Sequence, residues 1–586
     1  MNYSSVTGKN WELKEVDNKK VLQLTEQFSI SYILSKLLAL RKIKPEKVES
    51  FLNPKIKNII PNPNILKDMD IAVSYILNII LENKTIGIFG DYDVDGASAT
   101  ALLINFFKKI NQRYTFFIPD REKDGYGPSI NSFDKLIKKK IDTIITVDCG
   151  STSYDAIDFA KNKCIETIVL DHHQIDVKLP KAKALINPSR IDDVSNLDNL
   201  CATSITFLFL IALNKSLKEI NWYNKNQISE PDLFAFLDLV ALATVCDVVP
   251  LLDLNRAFVK QGLRVIEKRM NLGLKKLIDN SEIFTKITSY DLGFLIGPKI
   301  NAGGRLGFSS YGSELLSAND ESTAEILSIK LNQLNEKRKK IEKIHLDEIY
   351  LEAEKHKKDP VLVLYKPDWH EGIIGIIASR IKDKFYKPTI IITGLKNTLK
   401  ASARSVFGFN IGSLIQICLK KKIILKGGGH KMAAGFIIEK DKIPILRNYL
   451  IDSFNKVMIE KNFENKIFID SKITCTSLTE NFYDELESIS PFGHGNNNPC
   501  FILENVRNIK SNIIKNKHIR TILGTKDGNK VTGICFNALG TELESHLLGN
   551  KKNYYNIVGN LSLNHWKGKK KIDFIIKDIA INQKVS

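Results

Sequence analysis

Cysteine is sparse in this 586-residue chain and never occurs in closely spaced pairs. The eight cysteines stand singly, and no two of them form a Cys-x-x-Cys motif. This pattern gives no disulfide framework and no cysteine-ligated zinc site, and it is typical of proteins in a reducing cytosol. We therefore expect a cytoplasmic protein.

Long apolar runs are missing as well. The first 15 residues are polar and lack the apolar core of a signal peptide. The longest uncharged apolar stretch, around residues 202–213, is shorter than the roughly 20 residues that a membrane-spanning helix needs. The sequence thus predicts a soluble protein without a membrane partner.

Acidic residues are outnumbered by basic ones. The chain has 85 Lys and Arg against 66 Asp and Glu, which gives a net charge of +19. Such an excess favours a polyanionic partner such as nucleic acid. The abundance of lysine, isoleucine and asparagine throughout the chain would produce the same excess, so charge alone leaves both interpretations open.

The length predicts three or four domains, at roughly 100–200 residues each. Changes in the apolar pattern along the chain suggest where they lie. We expect a mostly helical preface over 1–70, an α/β domain over 71–318, a connecting helix over 319–358, a second α/β domain over 359–457 and a small β-barrel over 458–586.

In the first α/β domain, short apolar strands alternate with helical segments, which favours a parallel, doubly wound sheet. The predicted strands are 86–89, 115–118, 143–147 and 167–170. The β-like runs assigned to the barrel are 467–469, 500–503, 518–523, 531–536, 555–563 and 572–576.

Acidic groups follow three of the predicted strands. Asp91-Tyr92-Asp93-Val94-Asp95-Gly96 comes after the first, Asp148 after the third and Asp171-His172-His173 after the fourth. In open parallel sheets, ligands gather outside the carboxyl ends of strands. The sequence therefore predicts a divalent-metal site at this edge of the sheet.

A calcium-binding EF-hand loop begins with a similar Asp-x-Asp-x-Asp-Gly pattern, but it needs a bidentate Glu at position twelve. Counting from Asp91, the twelfth residue is Leu102, inside a largely apolar stretch. The residues before Asp91 also indicate a strand rather than a helix. The EF-hand interpretation is excluded.

Several side chains could together supply a site for two metal ions with one bridging carboxylate. Carboxylates suit Mg²⁺ or Mn²⁺, and imidazole shifts the preference toward Mn²⁺. Taken singly, Asp148 could also be a helix N-cap, and Asp247 could be a turn residue before Pro250. His173 could instead hold a phosphate oxygen or act as an acid. The candidate ligands are Asp93, Asp95, Asp148, His172 and Asp247.

Four motifs in this order resemble those of the DHH phosphoesterase superfamily, and within it the RecJ family of single-strand-specific 5′-to-3′ DNA exonucleases. They are 91–96, Val147-Asp148-Cys149-Gly150, 171–173 and 243–250. The similarity continues through 298–307, 369–380, 401–405, 427–435 and 491–496 and spans nearly the whole chain.

This resemblance implies a DHH domain, a linking helix, a DHHA1 domain and an OB-fold around a DNA channel. It also implies Mn²⁺ or Mg²⁺ dependence and successive release of 5′-mononucleotides. Metal binding is implied for Asp93, Asp95, Asp148, His172 and Asp247, and Asp91 matches the first carboxylate of its motif. We count His173 with the catalytic residues. Departures from the family pattern are Cys246, Ala302-Gly303-Gly304 and an apparent insertion over 214–226, and none removes a proposed ligand.

Other residues are candidates for holding the nucleic acid. The backbone of Gly427-Gly428-Gly429-His430 could form an anion-binding concavity. A glycine triplet alone more often marks a turn, and the DHHA1 resemblance favours the phosphate role. Arginine suits bidentate phosphate contacts, although surface arginines are often merely solvated. These further candidates are Arg121, Arg305, Arg404 and Ser402.

Near the C-terminus, aromatic residues are interleaved with lysines. Tyr554, Tyr555, His565 and Trp566 could be stacking platforms in a cationic groove for single strands, and Trp566 is our substrate-binding candidate. A barrel core with a solvated basic turn is the alternative.

We therefore expect a metal-dependent 5′-to-3′ exonuclease that degrades single-stranded DNA in repair and recombination. We expect a monomer, with a helicase or a single-strand-binding protein as candidate partners. The alternatives are a DHH-type oligoribonuclease or dinucleotide phosphodiesterase, and a non-catalytic nucleic-acid clamp on the same fold.

Overall fold

The computed structural model describes residues 5–121, 123–175, 177–283, 285–460, 465–549, 553–566 and 569–581. The chain divides into two compact units. The first contains residues Met1–Leu331 together with Lys466–Ser586, and the second contains Asn332–Asn465.

The N-terminal segment of the first unit is mostly helical. Asp17 and Ser31 begin its first two helices, because their side chains accept hydrogen bonds from the first-turn N–H groups of those helices. Its elements are β1 (Asn10–Leu13), α1 (Asn18–Phe28), α2 (Tyr32–Leu40), α3 (Val48–Leu52), α4 (Ile56–Ile59) and α5 (Met69–Leu81).

A five-stranded parallel sheet follows, with the strand order β3-β2-β4-β5-β6. Strands β2 and β4 are buried along their whole length, as expected for central strands of a parallel sheet. The elements are β2 (Ile86–Gly90), α6 (Val94–Lys109), β3 (Tyr114–Phe117), α7 (Ile130–Ile137), β4 (Thr143–Val147), α8 (Tyr154–Asn162), β5 (Glu166–Leu170) and β6 (Ala184–Ile186).

This sheet confirms the predicted parallel α/β fold. The chain reverses its direction across the sheet between β2 and β4, which is where ligands bind in such folds. Strand β6 was not predicted, because three residues are too few to show a periodic pattern.

The first unit continues as a set of helices. Helix α9 is buried on nearly all sides, which explains its long apolar sequence. No helix among the described residues is both long and apolar enough to span a membrane. The elements are α9 (Ala202–Glu219), α10 (Trp222–Lys225), α11 (Leu237–Cys246), α12 (Asp253–Glu267), α13 (Leu272–Asp279), α14 (Ser289–Asp291), a π-helical segment (Leu292–Ile296), α15 (Gly297–Arg305) and α16 (Tyr311–Leu316). The long α17 (Glu321–Lys355) begins in the first unit, and its residues from Asn332 onward belong to the second.

The second unit is built on a mixed sheet with the order β10-β11-β9-β8-β7, in which only β7 and β8 are parallel. The glycines 427–429 lie in the edge strand β10 rather than in a turn or loop. The elements after α17 are β7 (Leu362–Tyr365), α18 (Ile374–Phe385), β8 (Thr389–Thr393), β9 (Thr398–Arg404), α19 (Ile411–Lys420), β10 (Lys426–His430), β11 (Ala433–Glu439) and α20 (Ile443–Glu460).

The C-terminal segment returns to the first unit and forms a closed β-barrel. Its strand order is β13-β14-β15-β16-β18-β17, and β17 pairs back onto β14. The elements are β12 (Lys466–Ile469), β13 (Ser471–Ile473), α21 (Glu480–Ser488), β14 (Phe501–Ile514), β15 (His518–Gly524), β16 (Lys530–Cys535), α22 (Glu542–Leu548), β17 (Tyr554–Trp566) and β18 (Lys569–Ile581).

One predicted barrel strand lies elsewhere. The run 467–469 belongs to β12, which pairs in parallel with β1 from the other end of the chain. The barrel also shares its apolar core with the N-terminal helices, where Leu37 and Phe51 pack with Ile489 and Phe501. Local sequence patterns carry no information on such distant pairing.

Candidate metal centre

Asp93 begins helix α6 at the end of β2. Its Oδ1 accepts hydrogen bonds from the N–H groups of Asp95 (2.9 Å) and Gly96 (3.1 Å), which is N-cap geometry. A Cβ at Gly96 would lie 2.6 Å from the carbonyl oxygen of Asp91, so only glycine fits. This tight turn gathers Asp91, Asp93 and Asp95 at the carboxyl end of the strand.

Asp95 is buried and is held by the start of a second helix, α9. Its carboxylate accepts hydrogen bonds from the N–H of Ala202 (2.7 Å), the N–H of Thr203 (2.8 Å) and the hydroxyl of Thr203 (2.6 Å). Thr203 was not identified from the sequence. The only signal is a polar residue at the start of a long apolar helix that has no side-chain cap of its own.

Asp148 follows β4 in a left-handed backbone conformation, with φ of +60°. Its side chain is 2% exposed, and its Oδ1 has no hydrogen-bond partner among the described residues. Helix α8 begins at Tyr154, so Asp148 is not its N-cap. A buried carboxylate oxygen without a donor is costly, and such strained and unsatisfied groups are concentrated at functional sites.

Asp171 holds the two histidines that follow it. It accepts hydrogen bonds from the N–H of Ser151 (3.0 Å), the N–H of His172 (2.8 Å) and Nδ1 of His173 (2.8 Å). Burial alone would raise the pKa of Asp171, but the hydrogen bond and charge of His173, with further help from Ser151, outweigh it and lower that pKa. Asp171 therefore remains ionised and orients the imidazole of His173.

His173 also contacts the hydroxyl of Tyr126, at 3.1 Å from its Nε2. Burial opposes protonation of His173, but its hydrogen bond to Asp171 and the nearby carboxylates raise its pKa to about 9. Tyr126 was not predicted as a site residue, because nothing in its local sequence indicates that its loop reaches the histidines.

His172 lies among three carboxylates. Its Nε2 is 3.3 Å from Asp148 and 3.8 Å from Asp95, and its Nδ1 is 3.7 Å from Asp247. Asp247 directly follows α11, and Val248 after it has φ of +59°. A β-branched residue rarely adopts this conformation, so the turn that presents Asp247 is strained rather than an ordinary surface turn.

These side chains form overlapping groups in which the potential ligand atoms all lie within 4.8 Å of one another. Asp148 and His172 each belong to two of the groups. We call Asp91, Asp93, Asp95, Asp148, His172 and Asp247 the carboxylate cluster. The groups are Asp91-Asp93-Asp148, Asp95-His172-Asp247 and Asp148-His172-His173.

The carboxylate cluster fits divalent cations. Burial, followed by the charges of neighbouring aspartates, raises the pKa of Asp148, Asp91 and Asp247 well above the usual range. Among the described residues, no lysine or arginine forms an ion pair with the carboxylates of the cluster. A bound cation would offset this repulsion and would satisfy the free oxygen of Asp148.

Two predicted arginines lie beside Tyr92, next to the cluster. The guanidinium of Arg121 is 5.8 Å from the centre of the Tyr92 ring. A Cβ at Gly304 would lie 2.9 Å from that ring, so the end of α15 with Arg305 packs directly against it. Burial raises the pKa of Tyr92 to about 12, although the charges of Arg121 and Arg305 act in the opposite direction.

In the second unit, Arg404 and Ser402 lie on one face of β9. Arg404 is half-buried, and burial lowers its pKa. Its guanidinium donates to the carbonyl of Ala403 (2.9 Å), and no carboxylate pairs with it within the described part of this unit. A Cβ at Gly375, in the first turn of α18, would lie 3.1 Å from both Arg404 and Ser402. This arrangement offers an anion an unpaired guanidinium beside a helix N-terminus.

The remaining predicted nucleic-acid contacts lie in β10 and in the barrel. His430 is exposed at the end of β10, and the first turn of α19 lies against it, since a Cβ at Gly412 would be 2.6 Å from its carbonyl oxygen. Gly428 and Gly429 pair with β11 through their backbone.

Tyr555 is 2% exposed and belongs to the barrel core, which corrects its predicted role as a platform. The side chain of Trp566 lies outside the described part of the chain.

Comparison with known proteins gives a consistent result over the whole chain. Three family models match, described as DHH family, N-terminal domain (residues 85–244), DHHA1 domain (358–456) and RecJ OB domain (469–578).

Among the curated relatives is the single-stranded-DNA-specific exonuclease RecJ of Bacillus subtilis, 31% identical over 583 residues, covering 98% of this chain and 71% of that protein. The RecJ of Haemophilus influenzae is also 31% identical and covers 96% of this chain and 99% of that protein.

Solved structures with a similar fold include RecJ in complex with Mn²⁺ from Thermus thermophilus. It has a TM-score of 0.80 at 23% identity, covering 98% of this chain and 80% of that one. Another is an exonuclease RecJ bound to manganese, with a TM-score of 0.56 at 28% identity, covering 68% of this chain and 96% of that one.

Proposed function

Because the chain belongs to the RecJ family of single-stranded-DNA-specific exonucleases, we propose that it hydrolyses single-stranded DNA from the 5′ end. The products would be 5′-mononucleotides, and the activity would serve DNA repair and recombination. The observation that carries the proposal is the carboxylate cluster, which is complete and tightly grouped.

The carboxylate cluster would hold two divalent ions, Mn²⁺ or Mg²⁺. Asp91, Asp93 and Asp148 would hold one, and Asp95, His172 and Asp247 would hold the other, with Asp148 close enough to contribute to both. When bound, two such ions activate the attacking water and stabilise the charge that develops on the phosphate.

His173 would hold a proton close to the reacting phosphate. Asp171 fixes its Nδ1, which leaves Nε2 facing the hydroxyl of Tyr126. We assign to Nε2 of His173 a hydrogen bond to a phosphate oxygen or to the leaving oxygen. Tyr126 would be displaced from His173 or would contact the same phosphate.

Arginines and backbone groups would hold the strand. Arg121 and Arg305, beside Tyr92, would contact phosphates next to the cluster. In the second unit, Arg404, Ser402 and the Gly428-Gly429-His430 strand would receive the terminal 5′-phosphate. A pocket dedicated to that phosphate would explain why degradation starts at the 5′ end.

The barrel would bind the longer part of the strand. Lys526 lies 5.3 Å from the ring centre of Tyr554, which places a cation beside a half-buried aromatic residue. Together with Trp566, these residues would stack bases and neutralise phosphates without reading sequence. The match to a RecJ OB domain favours long strands over dinucleotides as substrates.

The domain bounds, the cellular location, the oligomeric state and the partners are also proposals. The DHH domain would span 71–318, the connecting helix 319–358, the DHHA1 domain 359–457 and the OB domain 458–586. We propose a cytoplasmic monomer, because chromosomal DNA is there, and a helicase or a single-strand-binding protein could supply its substrate.

The test is a comparison of strands labelled at the 5′ or 3′ end, duplex DNA and RNA, each with Mn²⁺, Mg²⁺ or a chelator. We expect mononucleotides from single-stranded DNA, with the 5′ label released first, and no release with the chelator. Release from the 3′ end, or release without metal, would contradict the proposal. The Asp148→Asn variant, purified in parallel, controls for contaminating nucleases.

A further inference from the structure

A loop of the C-terminal segment, residues 491–496, contacts the turn that presents Asp247. The N–H of Leu251, which closely follows Asp247 in the chain, donates to the carbonyl oxygen of His494 at 2.8 Å. Leu251 is 2% exposed, and a Cβ at Gly493 would lie 2.7 Å from its Cδ1. The 491–496 loop therefore packs directly on the chain that leads away from Asp247.

The loop approaches this turn as closely as glycine allows. Gly493 and Asn496 exchange backbone hydrogen bonds of 3.0 and 3.2 Å, which close a tight turn between them. Within it, Gly495 has φ of +76°, a conformation that glycine adopts without strain. A Cβ at Gly495 would also lie 3.1 Å from Cβ of Pro250. A side chain at position 495 would therefore press on the turn after Asp247.

The rest of the first unit fixes the position of the loop. Asn496 is 1% exposed, and its Nδ2 donates to the carbonyls of Ile489 and Pro491, both at 2.8 Å. Its Oδ1 accepts a hydrogen bond from Nε of Arg41 in the N-terminal segment, also at 2.8 Å. A buried polar group with these partners holds its surroundings in one arrangement. The loop is therefore a fixed surface against which the turn is placed.

The turn needs such a support. Val248 has φ of +59°, and a β-branched residue is strained in this conformation. Strained residues persist only where the surrounding structure holds them, and Val248 is itself 63% exposed. Its support comes from the residues that follow, because Pro250 and Leu251 contact the loop. The carbonyl of Pro250 also accepts a hydrogen bond from Nδ2 of Asn255 on α12 (3.1 Å).

This support acts on one part of the carboxylate cluster. Asp247 belongs to the group Asp95-His172-Asp247, and its Oδ2 is 3.7 Å from Nδ1 of His172. The group Asp91-Asp93-Asp148 is presented instead by the ends of β2 and β4. A shift of the turn should therefore disturb the first group and leave the second in place.

We propose that the 491–496 loop positions Asp247, and that the affinity of the Asp95-His172-Asp247 group for its divalent ion depends on this contact. This role rests on the proposed two-ion function of the cluster. Gly493 and Gly495 are positioning residues, because they act on the ion only through Asp247. The loop lies in the segment that matches the RecJ OB domain (469–578), so the segment proposed to bind the strand would also position a metal ligand.

The test measures Mn²⁺ binding to the whole protein in the absence of nucleic acid. Electron paramagnetic resonance gives the number of bound ions and their affinities, because the signal of free Mn²⁺ is lost on binding. With the natural protein we expect two ions. In Gly495→Ala, one ion should bind about tenfold more weakly, the lower end of the loss when a group that supports a metal ligand is changed, and the other should bind normally. Unchanged binding of both ions, or equal weakening of both, would overturn the proposal.

Gly540→Ala is the matched control. Gly540 also has φ of +76°, but a Cβ there would meet nothing within 4 Å. This variant therefore carries similar backbone strain without touching the turn, and both ions should bind to it as they bind to the natural protein. A selective loss of one ion in this control would count against the loop.

Gly493→Ala is the milder second variant, since its Cβ would meet only the end of the Leu251 side chain. It should weaken the same ion to a smaller extent. If Gly495→Ala does not fold, Gly493→Ala decides, and normal binding of both ions to it would overturn the proposal.

The Asp247→Asn background tests whether the loop acts through Asp247. In this background, Gly495→Ala should cause no further loss of Mn²⁺ affinity, because the ligand that the loop positions has already been replaced. A further tenfold loss would contradict the positioning role. Absence of metal-dependent nucleotide release by a natural protein that binds two ions would overturn the nuclease function and not this role, because ion binding is measured without a strand.

Discussion

The first unit contains two sets of buried charged side chains, and they differ in whether the protein supplies their hydrogen-bond partners. The carboxylate cluster places several acids together and leaves Oδ1 of Asp148 without a donor among the described residues. Arg256, on α12, is 1% exposed and pairs with no acid in the described part of the chain, yet its guanidinium donates to four backbone carbonyls. These belong to Phe51 (2.8 Å), Ile489 (2.9 Å), Ser488 (3.3 Å) and Ser490 (2.8 Å).

The difference separates a structural charge from a functional one. Arg256 has its hydrogen bonds satisfied inside the protein, and it also lies 3.9 Å from the ring centre of Phe51. It joins the N-terminal segment, α12 and the segment after α21 into one unit. The carboxylate cluster is completed only by something that the protein must bind. A buried charge with all its partners stabilises a fold, whereas one without them indicates a ligand.

We expect Asp148→Asn to separate the effect on activity from the effect on stability most clearly. This change would remove the proposed shared metal ligand, so nucleotide release should fall by about 10³-fold, the size of the loss when one electrostatic contact to the transition state is removed. The metal-free protein should be at least as stable, because a buried charge under repulsion is gone. Single-turnover kinetics and thermal unfolding in a chelator measure the two effects. A clear loss of stability would place Asp148 with the structural charges.

We expect the opposite result for Arg256→Met, which should lower stability and leave activity nearly unchanged. The carbonyls of Phe51 and Ser490 would lose the donor that Arg256 supplies, while Ile489 and Ser488 would keep Asn496 and Lys260 as donors. The unfolding free energy should fall by roughly 3 kcal/mol. Nucleotide release per folded molecule should stay near normal at low temperature. The control is Arg264→Met, an exposed arginine on the same helix, which should change little. An activity loss that exceeds the loss of folded protein would contradict the structural role.

Thr203→Val tests how firmly the cluster is held. The hydroxyl of Thr203 donates to Asp95, and loss of such a supporting contact commonly weakens metal affinity by about 10- to 100-fold. We expect the Mn²⁺ concentration for half-maximal activity to rise, with maximal activity largely recovered at saturation. Thr203→Ser retains the hydroxyl and should behave like the natural protein. Equal behaviour of the two variants would mean that the hydroxyl is not needed.

Asp238 gives the smallest expected effect. It is a buried carboxylate at the start of α11, away from the cluster, and burial raises its pKa to about 7. Because its folded pKa lies above its unfolded value, it costs stability increasingly as pH rises from about 4 to about 7. Asp238→Asn should raise Tm by a few degrees at pH 8 and by little at pH 4. No gain at pH 8 would show that the carboxylate finds a compensating partner.

Local sequence patterns predicted much of this fold and part of the site. The strands β2, β4 and β5 are short apolar runs between turn signals, and an aspartate directly follows each of them in the sequence. The hydrogen bonds between Thr203 and Asp95, and between Tyr126 and His173, join residues far apart in the chain. Such contacts depend on packing and have no local pattern.

The barrel also has long-range contacts that local sequence patterns did not predict. Most of its strands were predicted, but β13, the shared core with the N-terminal helices and the pairing of β1 with β12 were not. Removal of the C-terminal segment would therefore also remove three acceptors of Arg256. A truncation there tests folding as much as DNA binding, and point variants are the better experiment.

The central claim is that the carboxylate cluster binds two ions, and anomalous diffraction from crystals soaked in Mn²⁺ tests it most directly. We predict two anomalous peaks among Asp91, Asp93, Asp95, Asp148, His172 and Asp247, both lost or weakened in Asp148→Asn. No peak at these residues, or Mn²⁺ bound only elsewhere, would contradict the account.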